Sequence, residues 1–173
     1  VENDNGGVLS NISILDNYVH HVTSSFRYAY NFHPHQFGGI AVNVNGLTGT
    51  DKYRNVLIEG NRVENVGRTG IVVWDHIFAK YDEACTGVRI RKNSVKDIDS
   101  DGILTYGCDG ALIEHNVADG CGSYREDGGF NGSAAIWCTR GSNCIIQYNE
   151  AFNTHMLEGN ADGTAFDIDI DAI

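Results

Sequence analysis

Apolar and polar residues alternate along most of this chain in short runs, and five of those runs follow one template. The segments are NISILDNYVHHV (11–22), NVLIEGNRVENV (55–66), GVRIRKNSVKDI (87–98), GALIEHNVADGC (110–121) and NCIIQYNEAFNT (143–154). They align without gaps on Asn17, Asn61, Asn93, Asn116 and Asn149. Three positions before each asparagine stands an isoleucine: Ile14, Ile58, Ile90, Ile113 and Ile146. Two positions after it come Val19, Val63, Val95, Ala118 and Ala151. An apolar residue at every second position is the signature of a strand buried on one face. The asparagine falls where the alternation breaks, which suits a corner tolerant of left-handed backbone. A further apolar run follows each template: GGIAVNV (38–44), GIVVW (70–74), GILTY (102–106), AAIWC (134–138) and TAFDID (164–169).

Successive asparagines are 44, 32, 23 and 33 residues apart, so the unit is 23 residues and the longer steps carry insertions. Three short strands in one such unit cannot bury their own apolar face and must stack on the next unit. The pattern therefore predicts an all-β fold: a parallel β-helix solenoid of about five coils with loop insertions, residues 1–173 forming one domain. The repeats resemble those of the right-handed parallel β-helices of the pectin-lyase-like superfamily, over nearly the whole chain from Gly7 on. The resemblance implies that ILDN, LIEGN, RIRKN, LIEHN and IIQYN are second-sheet strands ending in a stacked Asn ladder. GIVVW, GILTY, AIWC and AFDID would then belong to the first sheet. The polygalacturonase signatures of that superfamily are absent. Val73-Trp74-Asp75-His76 matches its pectate-lyase WIDH pattern only in part, because no Ile separates Trp from Asp. The repeat defines the fold and leaves the reaction open.

Charge narrows the function. Twelve Lys and Arg stand against 23 Asp and Glu in 173 residues, a formal charge of −11. Such a chain cannot bind nucleic acid by neutralising phosphates and gains nothing from an anionic membrane surface. No apolar run approaches the length of a bilayer span. With 21 Gly and a single Pro, a helical bundle is excluded as well. The chain starts at Val1 without a signal-peptide pattern, and the expectation is a secreted or cell-surface protein whose start has been removed.

Alternation on the first sheet points Ile40, Ile71, Ile103, Ile136 and Phe166 inward. Outward rows are Ala41, Val72, Leu104, Trp137 and Asp167, then Asn43, Trp74, Tyr106, Thr139 and Asp169. Aromatic rings on an outward face need a cover. Sugar rings stacking on Trp74, Tyr106 and Trp137 are one cover, and the chain's own loops are the other. The insertions at 23–37, 122–133 and 155–162 precede this strand and the one at 75–85 follows it, so variable loops border the same face. FDIDID places Asp167, Asp169 and Asp171 on one side of a strand. Asp167 and Asp169 are candidate catalytic carboxyls for a glycosidase, which needs a proton donor and a base or nucleophile about 5 to 9.5 Å apart. Asp167, Asp169 and Asp171 together are an alternative Ca²⁺ site, and a solvated acidic edge is the third reading. No other cofactor is called for. A lyase would need cations beside a base, for which Lys80, Arg125 and Arg140, with Tyr81, are the candidates, Lys80 and Arg125 also serving as substrate contacts. Arg89, Arg91 and Lys92 are cations of the second sheet.

His33 and His35 flank Pro34 in a loop and read as surface histidines, as does His155. Cys121, Cys138 and Cys144 fall in inward rows and read as small core residues. Cys85 and Cys108 each stand eight residues before a ladder Asn, at equivalent corners of adjacent coils, where a disulfide is within reach. These features converge on a carbohydrate-active β-helix that binds and degrades a polysaccharide, with a hydrolase favoured over a lyase because acids outnumber bases on the groove. The alternative is a non-catalytic glycan-binding, adhesin or fibre-forming β-helix. Alternation running close to both ends of the sequence carries the further expectation that the chain is a fragment of a longer solenoid or associates end to end.

Overall fold

Each template folds as two strands that meet at its asparagine. The computed structural model describes residues 1–3, 7–23, 34–44, 51–75, 85–123, 133–156 and 162–169. Every strand pairing is parallel, and three sheets form the walls of a parallel β-helix. The first sheet runs Glu2–Asn3, Gly38–Val44, Thr69–Asp75, Ile103–Tyr106, Ser133–Thr139 and Asp162–Asp169. Strands before the ladder, such as Lys52–Glu59, Arg89–Arg91 and Leu112–Glu114, form the second sheet. Those after it form the third: Tyr18–Val22, Arg62–Val66, Ser94–Ile98, Val117–Cys121 and Glu150–Phe152.

Registers follow the sequence alignment residue for residue. Ile58 pairs with Ile90, Ile90 with Ile113, and Val63 with Val95. The inward rows close into one apolar core in which Ile58, Ile71, Ile90, Ile103, Ile113 and Ile136 are fully buried. Gly102 stands at the edge of this core, where a Cβ would lie 2.3 Å from the Ala135 carbonyl oxygen and 2.8 Å from the Cys121 sulfur. Only a residue without a side chain lets the first and third sheets approach so closely there.

The asparagines stack as a ladder. Nδ2 of Asn61 donates to Asn93 Oδ1 at 3.0 Å, Asn93 to Asn116 at 3.0 Å, and Asn116 to Asn149 at 3.0 Å. Each of these Oδ1 atoms also accepts the backbone N–H of the asparagine one coil earlier, and Asn93 Nδ2 reaches back to the Ile58 carbonyl at 2.9 Å. Buried amides are thereby satisfied on both ends. One detail departs from the sequence reading: the left-handed residue is the one before each ladder asparagine, namely Asp16, Gly60, Lys92, His115 and Tyr148, with φ between 54° and 70°. The preceding residue makes the bend, and the asparagine bonds across it.

Candidate functional site

The outward rows of the first sheet do not stay wet. Val72, Trp74, Leu104, Ala134 and Trp137 form a second buried cluster, with Ala41 and Tyr106 packed against it. Trp74 is 3% exposed and Trp137 8%. In-register pairing sets Tyr106 beside Trp74, and their rings stack at 3.9 Å. The Arg140 guanidinium lies 5.9 Å from the Tyr106 ring centroid. Of the two covers open in the sequence, protein packing is what encloses both tryptophans. Both rings are packing residues of a cluster outside the solenoid core, because parallel strands supply a flat apolar strip wide enough to bury.

Asp101 lies at the base of this cluster, one residue before Gly102 and the strand Ile103–Tyr106, and is fully buried. Oδ1 accepts the Trp137 indole N–H at 3.0 Å and the Ala134 backbone N–H at 3.3 Å. Oδ2 accepts from the Ser100 hydroxyl at 3.2 Å, lies 3.3 Å from Thr69 Oγ1 and pairs with His35 Nδ1. Burial is the largest influence on Asp101 and favours the protonated form. The charge and hydrogen bond of His35, with help from Arg68 and the Ala134 N–H, outweigh it and hold the carboxyl below its usual range.

His35 sits on a single 3₁₀ turn, Pro34–Gln36. Its ring lies parallel to Trp74 at 6.4 Å and edge-on to Trp137 at 5.7 Å. Thr69 Oγ1 donates to the His35 carbonyl at 3.1 Å, and Asn43 Nδ2 to the Gln36 carbonyl at 3.1 Å. This turn is bolted to the outer face of the sheet. The surface reading of His35 is corrected: its side chain is 14% exposed and its Nδ1 contacts the buried Asp101 carboxyl.

The last strand, Asp162–Asp169, carries three carboxyls, of which Asp167 and Asp169 share a face. Asp162 pairs with Ser133, Asp167 with Trp137 and Asp169 with Thr139, and the register shifts between Ser133 and Ala134. Asp167 and Asp169 are half-buried, whereas Phe166 and Ile168 on the opposite side are 45% and 66% exposed. Asp162 is exposed at the start of the strand, and partial desolvation, then the charges of Asp167, Asp169 and Asp101, push its carboxyl above the ordinary range, with His35 acting against them. Nothing in the composition singled out Asp162, Asp101 or His35. Asp162 was hidden because it precedes the strict alternation of FDIDID, and the other two because their pairing spans 66 residues.

Lys80, Arg125 and Asp171, with Tyr81 and His33, lie outside the described residues. Among the described residues no group of three or more His, Cys, Asp and Glu is arranged to hold a metal ion. Arg91 and Lys92 are engaged away from this face, on Glu59 at 2.9 and 3.0 Å. Cys85 and Cys108 are in-register neighbours, as their spacing implied, and both are free thiols.

No protein-family model matches the chain. It is 29% identical over 202 aligned residues to a lacto-N-biosidase of Bifidobacterium longum subsp. longum, a match covering 96% of this chain and 12% of that protein. The crystal structure of native GH136 lacto-N-biosidase from Eubacterium ramulus shares its fold with a TM-score of 0.78 at 22% identity, over 95% of this chain and 31% of that one. The selenomethionine derivative of the same enzyme gives 0.75 at 25% identity, with the same coverage. The chain is thus related to part of a glycoside hydrolase and spans less than a third of the length of these relatives.

Proposed function

We propose that this chain is the groove-bearing β-helix portion of a glycoside hydrolase of the lacto-N-biosidase kind, acting on a glycan laid across the outer face of the first sheet. The observation that carries the reading is the pair of half-buried carboxyls on the last strand, Asp167 and Asp169, in register with Trp137 and Thr139 on the outer face of the first sheet. Glycosidases need two carboxyls whose environments drive them toward different protonation states. Of Asp167 and Asp169, one is the proton donor to the glycosidic oxygen and the other supplies the carboxylate that activates water or attacks the anomeric carbon, alternate residues of one strand lying within the roughly 5 to 9.5 Å that such a pair needs. Trp137, in register with Asp167, and its bond to Asp101 stiffen the floor under that carboxylate. The similarity to glycoside hydrolases supports hydrolysis over elimination.

The test is release of chromophore from a chromogenic lacto-N-bioside by the full-length protein that carries this chain. Turnover without a new C=C absorbance is the expected result. Asp167→Asn should lower kcat on the order of 10²-fold or more while the protein stays folded. Glycan binding with no turnover in the unmodified protein would overturn the reading and favour a binding module.

A further inference from the structure

Two imidazoles meet at an exposed corner of the first coil. Strand Tyr18–Val22 of the third sheet turns Val19 and Val22 toward the core and leaves Tyr18, His20 and His21 exposed. Strict alternation would send His21 inward. His21 instead takes a left-handed φ of 54°, as Asn65, Asp97, Gly120 and Asn153 do at the same position of the later coils. Asn, Asp and Gly tolerate that backbone readily, and the bend it makes brings the side chain out with its predecessor. In the first coil alone both residues of the bend are histidines. Their Nδ1 atoms are 2.9 Å apart, and the rings stand nearly perpendicular at 87° with centroids 5.1 Å apart.

We infer that His20 and His21 form a site for a divalent transition-metal ion, Cu²⁺ before others, held by the two Nδ1 atoms with water completing its coordination. Imidazole nitrogens bind such ions at about 2.0 Å, so a pair 2.9 Å apart subtends about 90° at the ion. That is the angle between neighbouring ligands in a tetragonal Cu²⁺ or Ni²⁺ site, whereas tetrahedral Zn²⁺ would hold its nitrogens about 3.3 Å apart. Of these ions Cu²⁺ binds nitrogen ligands most tightly. Without metal, one Nδ1 carries the proton shared between the rings and the other accepts it. A shift of the donor ring to its Nε2–H tautomer leaves both Nδ1 lone pairs for the ion, so two neutral imidazoles bind it with no net release of protons.

Neighbouring residues hold the first ring in place. Tyr18 stacks on His20 with centroids 4.5 Å apart. The Tyr18 hydroxyl donates to Glu64 Oε2 at 2.9 Å, Arg62 Nε donates to Glu64 Oε1 at 2.6 Å, and the Arg62 guanidinium lies 5.0 Å from the Tyr18 ring centroid. Glu64 is the register neighbour of His20 on the next coil, and its two oxygens are engaged in steadying Tyr18. The site therefore has two protein ligands, in keeping with the absence of any three-ligand group among the described residues. A formal charge of −11 favours a cation on this surface. The corner belongs to the third sheet, whereas Asp167 and Asp169 belong to the first, so metal binding and hydrolysis are separate questions.

Titration of the folded protein with CuCl₂, read by calorimetry and by electron paramagnetic resonance, tests the site. One Cu²⁺ per chain is expected, with hyperfine splitting from two imidazole nitrogens. His20→Ala and His21→Ala should each weaken that binding on the order of 10-fold or more. Both positions are exposed, so circular dichroism should show the fold retained. His115→Ala is the control: its ring stacks on Tyr148, away from any second imidazole, and its loss should leave copper binding unchanged. Tyr18→Phe keeps the stack on His20 and should bind as the unmodified protein does, whereas Tyr18→Ala should bind more weakly. Copper held with unchanged affinity after both histidines are replaced would sit elsewhere, on the Val1 amine or the Cys144 thiol, and would overturn the inference. So would a spectrum with a single nitrogen ligand, or tighter binding of Zn²⁺ than of Cu²⁺.

Discussion

Two side chains show how single residues carry this structure. Asn93 accepts two hydrogen bonds on Oδ1 and donates two from Nδ2, all inside the solenoid. Asn93→Ala orphans the Asn61 amide and the Ile58 carbonyl, each costing about 1–3 kcal/mol. Urea denaturation should register a loss of at least about 2 kcal/mol, whereas Asn17→Ala, at the exposed end of the ladder, should cost less than half as much. Asp101 makes the second case, through pH. Its folded carboxyl titrates below the usual value of 3.8, so the stability it contributes is complete above about pH 4 and is lost as pH falls through the folded value. Asp101→Asn should destabilise the protein at pH 7 by about 3–5 kcal/mol, as expected when one member of a buried pair is removed. The gap between the two proteins in urea midpoints should narrow as the pH is taken from 5 to below 3. A gap constant across that range would show that Asp101 acts only as a neutral acceptor.

Strands and sheets set the next level. Over its central strands the first sheet is apolar on both faces: the inner face meets the solenoid core, and the outer face supports the tryptophan cluster. Parallel sheets buried on both sides read as continuous apolar runs, and GIVVW and AAIWC are such runs. Trp74 is therefore a packing residue before it is anything else. Trp74→Ala should cost about 3–5 kcal/mol by thermal or chemical unfolding, the range for large-to-small changes of a buried aromatic. Trp137→Phe keeps most of the volume but removes the donor to Asp101, and about 1–3 kcal/mol is the expected loss. If Trp74→Ala leaves stability unchanged and abolishes glycan binding, the ring is a sugar platform and the packing argument is wrong. Periodicity placed both rings on the outer face correctly. It could not say what covers them, because a cover is a contact between segments far apart in sequence, and alternation carries no information about that.

For the whole molecule, charge and exposed apolar surface act in opposite directions. A formal charge of −11 favours separation of chains, while Phe166 and Ile168 leave inward-row positions of the last described strand 45% and 66% exposed. Those positions sit directly over Ile136 and Cys138, in line with the core. An isolated 173-residue chain is expected to associate through such edges, more strongly as salt screens the charge. Light scattering across a range of concentrations and salt should report species above 18.9 kDa, and Phe166→Lys with Ile168→Lys should reduce them. A monodisperse monomer at every concentration would show that these edges are not sticky enough to matter.

The sequence alone determined the coil length, the strand register, the ladder and which residues face inward, because each depends on a local period repeated in every coil. Asn93 stacks on Asn116, and Ile90 on Ile113, as the alignment of their segments required. The tertiary structure alone decided the chemistry of the outer face. It joined His35 to Asp101 and Asp101 to Trp137. None of these residues repeats from coil to coil, so no period marks them. Their properties come from desolvation and from charges on other segments, which exist only once the chain has wound up and the turn Pro34–Gln36 has packed on the sheet.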